Sequence, residues 1–184
     1  MRLLPNIISL LRLLSVPIVI WLLLIDERAA AFWLFLAAGL SDAVDGLIAK
    51  RFDAVTEVGT YLDPIADKVL LVSVFLALGG LELMRPWVVI LVVSRDVLIV
   101  GGILFSYAIS LPLQAAPSIL SKVNTFGQML LAAAVLGGHG MLWELDRPIE
   151  FLTYAVGLLT AASGAHYVLH WARTAFVANH GAGQ

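Results

Sequence analysis

Four aspartates stand where an apolar chain can least accommodate them. Asp42 and Asp45 are three residues apart and Asp63 and Asp67 four apart, each pair inside or at the edge of an apolar run. Spacings of three and four return a side chain to the same face of a helix, so each pair predicts a small carboxylate patch. A charge within a membrane helix costs about 2.5–3.5 kcal/mol on insertion scales, which makes such residues functional candidates. Four carboxylates facing one another in a low-dielectric site would repel, and most would have to protonate. Divalent cations remove that repulsion. Oxygen donors alone, with no cysteine in the chain and no histidine near the pairs, favour Mg²⁺ or Mn²⁺ over zinc. Such ions hold a substrate phosphate together with a few carboxylates, and two of them clamp a phosphoryl displacement. The residues between the pairs fit this chemistry. Gly46 and Gly59 leave room for a bulky headgroup or a neighbouring helix, and Lys50 and Arg51 offer positive charge to phosphates. Packing glycines and interfacial anchors are the plainer readings of those four positions.

The elements that must position these groups follow from composition. The chain has 184 residues, 61% hydrophobic and 13% charged, whereas soluble domains are about half apolar and about a quarter charged. A soluble domain of this length cannot cover so much apolar surface, but a bilayer can. Disorder and a collagen-like fibre are excluded by composition, and a disulfide scaffold by the lack of cysteine. A formal charge of −2 gives no global attraction to nucleic acid.

Runs long enough to span a bilayer extend from Ile7 to Ile25, Ala29 to Ala49, Thr60 to Leu81, Pro86 to Tyr107, Val123 to Trp143 and Ile149 to Trp171. The predicted fold is an all-α integral membrane protein of six transmembrane helices. With the amino terminus inside, Arg2, Arg12, Lys50, Arg51, Lys68, Arg95, Lys122 and Arg173 gather at inner ends, against Arg28, Arg85 and Arg147 outside. That bias places both termini in the cytoplasm. Measured from the outer ends at ~1.5 Å per residue, Asp42 and Asp67 lie at about 20 and 21 Å, Asp45 and Asp63 at about 24 and 27 Å. In an antiparallel hairpin the pairs meet at one depth, at the cytoplasmic ends of the second and third helices. Arg2 and Ala29-Ala30-Ala31 have features of a signal peptide, but Arg12 interrupts the apolar core. Pro5 and Pro17 instead favour an interfacial stretch bending into a span. Residues 1–177 read as a single membrane domain and 178–184 as a short flexible tail.

The second half carries the remaining polar groups. Ser94-Arg95-Asp96 lies in the fourth span, where an arginine beside an aspartate is either a structural pair or a phosphate binder with a tuned partner. Lys122 opens the fifth span. Arg95 and Lys122 together are candidates for holding an anionic acceptor, against a satisfied ion pair and a snorkelling lysine. His170, Arg173 and Trp171 suit ordinary interfacial placement, and His139 a solvated outer turn. A small cation transporter is the alternative class of function, although carboxylates in the inner half and the lack of an internal repeat count against it.

Written out, the stretch is Asp42-x2-Asp45-Gly46-x2-Ala49-Lys50-x8-Gly59-x3-Asp63-x3-Asp67. It closely resembles the signature of the CDP-alcohol phosphatidyltransferases, integral membrane enzymes of phospholipid synthesis. Lys50 stands where that family usually carries arginine, which keeps the charge but loses the bidentate fork unless Arg51 substitutes. The resemblance implies six transmembrane helices, a homodimer, and a site open to the cytoplasm, in a bacterial inner membrane. It implies transfer of a phosphatidyl group from CDP-diacylglycerol to an alcohol with release of CMP. By position, Asp42, Asp45 and Asp63 would be metal ligands, with Asp67 a shared ligand or the general base. Asp42, Asp45, Gly46, Ala49, Lys50 and Gly59 would line the CDP pocket. Pro5-Asn6-x2-Ser9-x2-Arg12-x4-Pro17 also resembles the family's start, which assigns Asn6 and Arg12 to headgroup or helix anchoring. Within the family, Ser94-Arg95-Asp96-Val97, Ser121-Lys122-Val123-Asn124-Thr125 with Gln128, and Thr160-Ala161-Ala162-Ser163 resemble the CMP-forming cardiolipin synthases. That branch uses phosphatidylglycerol as acceptor. The phosphatidylglycerophosphate synthases, which use glycerol 3-phosphate, are the near competitor. With the four motif aspartates set aside as ligands, the formal charge of −2 becomes +2, its excess on the inner side, which suits anionic lipid substrates.

Overall fold

A computed structural model describes the backbone of residues 4–52, 57–108 and 119–181, and the side chains of 8–41, 66–102, 119–169 and 171. Among the described residues the chain forms six α-helices and no strand. They are α1 (Leu4–Leu24), α2 (Arg28–Phe52), α3 (Glu57–Gly80), α4 (Pro86–Ala108), α5 (Ile119–Met141) and α6 (Asp146–Gly181). In so apolar a chain a helix is the economical choice, since it pairs its backbone N–H and C=O groups within the segment itself. Each helix coincides with one predicted apolar run and extends past it where polar residues continue the helix. α1 is continuous through Pro5 and Pro17. α6 runs on to Gly181, through residues 178–181 where the composition predicts a tail.

Sharp reversals join the helices in pairs. After α1, Glu27 N–H donates to Leu22 O at 2.9 Å and Asp26 N–H to Leu23 O at 3.2 Å, with Asp26 at φ 66°. After α3 the pattern repeats, Leu83 N–H to Leu78 O at 2.9 Å and Glu82 N–H to Gly79 O at 3.1 Å, with Glu82 at φ 59°. Both are Schellman caps that satisfy carbonyls left over at a helix end. Leu142, between α5 and α6, also has a left-handed backbone, at φ 56°.

The helices close into a ring in the spatial order α1, α3, α4, α6, α5, α2. Among the described residues α1 packs against both α2 and α3 and presents Val16, Val19 and Leu23 to the core between them. The ends of α2 and α3 that carry the aspartate pairs lie outside the described side chains, and with them the expected meeting of the two pairs. α3 is the most enclosed element, with Leu70, Leu71, Val74, Phe75 and Leu78 all at 1% exposure or less. Their spacing of three to four covers one broad helical face, which α1, α4 and α5 surround. Large apolar side chains also point outward, among them Leu11, Trp21, Leu24, Ile90, Phe151 and Leu158. Among the described residues, Ile119–Met141 and Asp146–Leu169 are long and apolar enough to cross a membrane, and Ile8–Leu24 and Arg28–Ser41 are shorter apolar stretches. Outward apolar faces of this size fit a membrane protein, because water would leave them uncovered.

Candidate functional site

The motif aspartates fall within helical backbone, Asp42 and Asp45 in α2, Asp63 and Asp67 in α3. Asp42 is 14 residues beyond Arg28, and Asp67 is 13 before Gly80; Asp45 and Asp63 are each 17 from those same ends. At ~1.5 Å per residue the two pairs are level to within about 2 Å. A contact one turn away supports the same register. Gly39 and Leu40 of α2 line one apolar groove with Leu70 of α3 and Phe126 and Met129 of α5. Arg12 adds a cross-brace: fully buried in α1, it donates its Nε–H to the Ala38 carbonyl of α2 at 3.2 Å. The expected roles of Asn6, Asp42, Asp45, Gly46, Ala49, Lys50, Arg51, Gly59 and Asp63 rest on atoms outside the described side chains, as do those of Arg2, His170 and Arg173. Asp67 is described and half-buried, beside fully buried Ala66. Among the described residues no three histidine or acidic side chains gather as a metal site.

The residue after Asp67 leads into a buried ionic cluster. Lys68 Nζ donates to Asp96 Oδ1 of α4 at 2.6 Å, and Arg95 Nη1 donates to the same oxygen at 2.6 Å. Arg95 Nη2 donates to Ser121 Oγ at the start of α5 at 2.5 Å and to Ser163 Oγ of α6 at 2.9 Å. Its guanidinium carbon lies 5.9 Å from the centre of the Tyr167 ring, a cation–π distance, and its aliphatic stem passes Gly164, where a Cβ would sit 3.6 Å from Arg95 Cγ. Arg95 and Asp96 are both about 3% exposed or less, and Lys68 is 28% exposed. One arginine therefore ties α4, α5 and α6 together, and one aspartate ties α3 to that knot. A second thread runs alongside, in which Thr160 Oγ1 donates to Asn124 Oδ1 at 2.8 Å and Gln128 Nε2 lies 3.5 Å from Thr160 Oγ1. Asn124 Nδ2, Gln128 Oε1, Arg95 Nε and Asp96 Oδ2 are buried with no hydrogen-bond partner. They leave a polar interior with unused capacity.

Of the two cationic acceptor candidates, the structure puts Arg95 in the interior and Lys122 on the surface, exposed, one residue after Ser121. The Arg95–Asp96 pair is formed. Sequence reasoning passed over Lys68 as an inner-side charge and gave no role to Thr160 or Ser163. The signal for Lys68 was its position directly after Asp67 in an apolar run; for the hydroxyls it was their spacing of three on one helical face. His139 is exposed, but it lies inside α5, which runs through Gly137, Gly138 and Gly140 to Met141 where a turn is expected.

Comparison with known proteins matches residues 2–177 to the CDP-alcohol phosphatidyltransferase family. The chain is 35% identical over 181 residues to a Schizosaccharomyces pombe cardiolipin synthase (CMP-forming)/mitochondrial hydrolase fusion protein, covering 90% of this chain and 30% of that protein. It is 35% identical over 182 residues to the chloroplastic CDP-diacylglycerol–glycerol-3-phosphate 3-phosphatidyltransferase 1 of Oryza sativa, covering 89% of this chain and 55% of that one. It is 31% identical over 173 residues to the Rickettsia typhi CDP-diacylglycerol–glycerol-3-phosphate 3-phosphatidyltransferase, covering 91% and 96%. The chain thus spans 30% and 55% of these two eukaryotic relatives, and nearly all of the rickettsial one.

Proposed function

Because this chain belongs to the CDP-alcohol phosphatidyltransferase family, we propose that it transfers a phosphatidyl group from CDP-diacylglycerol to the hydroxyl of an anionic alcohol and releases CMP. The observation that carries this reading is the pair of aspartate motifs at matched depth on α2 and α3. The donor set fits Mg²⁺ or Mn²⁺, since it offers carboxylate oxygens on facing helices and no thiolate. Asp42, Asp45, Asp63 and Asp67 would hold the metal, in the family's manner two ions. Bound there, the metal supplies neutralisation of the diphosphate and of the CMP leaving group. The protein's own residues do the rest. Asp67 accepts the proton of the acceptor hydroxyl as its oxygen bonds to the phosphatidyl phosphorus and the bond to CMP breaks. A carboxylate near cations is a weak base, so close placement of the hydroxyl must contribute much of the rate. Gly46, Ala49 and Gly59 would admit the cytidine diphosphate by lacking bulk, and Lys50 and Arg51 would supply positive charge for its phosphates.

For the acceptor we take phosphatidylglycerol first, giving cardiolipin. Of the polar pieces that resemble that branch, Arg95, Asp96, Ser121 and Ser163 form one cluster and Asn124, Gln128 and Thr160 a second thread on the same helices, which supports a common purpose, whereas Ser94 is exposed. Glycerol 3-phosphate is the second reading, favoured by a relative of that name at the same 35% identity. Arg95, Lys122, Arg51, Asn6 and Arg12 are the candidates on the acceptor side. The proposed setting is a six-span bundle, a homodimer, with both termini and the site on the cytoplasmic side of a bacterial inner membrane. On the proposed outer side Arg28 is paired with Asp26 at 2.6 Å and Arg85 with Glu150 at 2.9 Å; the orientation itself rests on the excess of lysine and arginine at the inner ends.

Purified protein in detergent, given CDP-diacylglycerol and Mg²⁺ or Mn²⁺, should release CMP with one of phosphatidylglycerol and glycerol 3-phosphate and not the other. Product identity then assigns the branch. No CMP release with either, nor with inositol phosphate or serine, would defeat the proposal.

A further inference from the structure

We propose that Asn124, Gln128 and Thr160 are specificity-determining residues that hold the acceptor's second hydroxyl, so that the enzyme selects a vicinal diol; this rests on the phosphatidyltransferase reading. Both candidate acceptors carry that group. In phosphatidylglycerol and in glycerol 3-phosphate alike, the attacking primary hydroxyl has a secondary hydroxyl on the neighbouring carbon. On the protein side two polar stripes meet, Ser121, Asn124 and Gln128 on α5, Thr160 and Ser163 on α6. Spacings of three and four keep each stripe on one helical face. Thr160 Oγ1 donates to Asn124 Oδ1 at 2.8 Å, and Ser121 and Ser163 both accept from Arg95. The seam ends inside the bundle at Gln128, beyond which the buried face of α5 is apolar, with Leu131, Ala132, Val135 and Leu136.

One proton fixes the orientation of both amides. Thr160 spends its hydroxyl hydrogen on Asn124, so Gln128 can offer that oxygen only an N–H, and Nε2 stands 3.5 Å from it. The far end of each amide is left over: Asn124 Nδ2 and Gln128 Oε1 are buried with no hydrogen-bond partner among the described residues. One donor and one acceptor, a helical turn apart, match a hydroxyl, which donates once and accepts as well. Helix-to-helix bonding accounts for the 2.8 Å contact but not for these two atoms, since a seam serving structure alone gains by pairing every buried polar group. The seam is also at the right depth. Gln128 and Asn124 are 13 and 17 residues from Met141, and Thr160 is 14 from Asp146, the same spacings that set the motif positions in α2 and α3. At ~1.5 Å per residue the thread is level with them. α5 packs on α2 and also touches α3. Phe126 and Met129, on the same turn as Gln128, line a groove with Gly39 and Leu70, which are three residues from Asp42 and Asp67.

The test offers each acceptor beside its deoxy counterpart, to purified protein in detergent with CDP-diacylglycerol and Mn²⁺. Phosphatidylglycerol is set against phosphatidyl-1,3-propanediol, and glycerol 3-phosphate against 3-hydroxypropyl phosphate. The pair that yields CMP tells whether the diol comes from a lipid headgroup or a free phosphate ester. Within that pair the wild type should prefer the diol by about ten- to a hundredfold in kcat/KM, the effect of leaving buried polar groups unpaired. Equal turnover overturns the proposal. Gln128→Met keeps the side chain's length and removes its oxygen, so the diol preference should shrink by about fivefold or more, with KM for CDP-diacylglycerol unchanged. A seam that only ties α5 to α6 predicts otherwise, a lower unfolding temperature with the wild-type preference intact, and that result also overturns the proposal. Should Gln128→Met not fold, Thr160→Val takes its place: amides no longer oriented by the hydroxyl should lose the preference in the same way, and an undiminished preference counts against the assignment. No CMP release from the wild type defeats the phosphatidyltransferase reading, whereas release without a diol preference defeats this proposal alone.

Discussion

Arg95 commits one terminal nitrogen to Asp96 and the other to Ser121 and Ser163. No lysine can reproduce that, because an ammonium is a single point where the guanidinium is a planar fork. Arg95→Lys should therefore keep the buried charge balanced yet lose at least one charged hydrogen bond. The expected cost is about 2 kcal/mol, read as a lower unfolding midpoint in detergent with the helical signal retained. Asp67 belongs to the other kind of residue. If it takes the acceptor's proton, Asp67→Asn should lower CMP release by about 10²–10⁴-fold while leaving the unfolding midpoint close to wild type; activity within a few-fold of wild type would remove Asp67 from that role. At this scale the sequence was legible where chemistry is local. Asp42, Asp45, Asp63 and Asp67 declare themselves by spacing within a single helix each. Lys68, 28 positions before its partner Asp96, does not, because the pairing depends on how α3 is rotated against α4, and apolar runs this uniform encode rotation only weakly.

Helix ends show the same division between local and tertiary information. The six apolar runs locate every helix, and α4 begins at the predicted Pro86, since proline lacks only an N–H that a first helical turn leaves unpaired anyway. The caps were not legible, because the residue in each left-handed position is not the glycine that would announce it. At Glu82 the cap places an ordinary side chain at φ 59°, a conformation that costs non-glycine residues roughly 1–2 kcal/mol. Glu82→Gly should recover about 0.5–1 kcal/mol after the extra freedom of the unfolded glycine is subtracted. A higher unfolding midpoint checks it, and a lower one would mean that the Glu82 side chain contributes more than its backbone costs. Gly140 is the converse case. A Cβ there would meet Ala29 N and Arg28 C at 2.7 Å, and both are backbone atoms at the start of α2, which cannot step aside as a side chain can. Gly140→Ala should cost about 1–3 kcal/mol, in contrast to Gly39→Ala inside α2, which meets nothing within 4 Å and should gain about 0.5–1 kcal/mol in the same unfolding assay.

For the whole molecule, the ring order links the site to the bilayer. Among the described residues α1 packs against both α2 and α3, and the two aspartate pairs belong to the ends of those helices remote from Arg28 and Gly80, at one end of the bundle. Which end faces the cytoplasm is therefore a statement about function, and the lack of any cysteine in the chain makes it directly testable. Lys122 and Leu142 stand at opposite ends of α5 (Ile119–Met141), both exposed, and separated by roughly 30 Å of helix. Lys122→Cys and Leu142→Cys, each made singly, report on the two sides of the membrane through a maleimide that cannot cross it. In intact bacterial spheroplasts Leu142→Cys should be labelled and Lys122→Cys protected, with Lys122→Cys becoming reactive only after the membrane is opened. Labelling of both from outside would end the six-span reading. The reverse pattern would keep the spans but put the carboxylate site on the outer side, away from a CDP-activated lipid made in the cytoplasm.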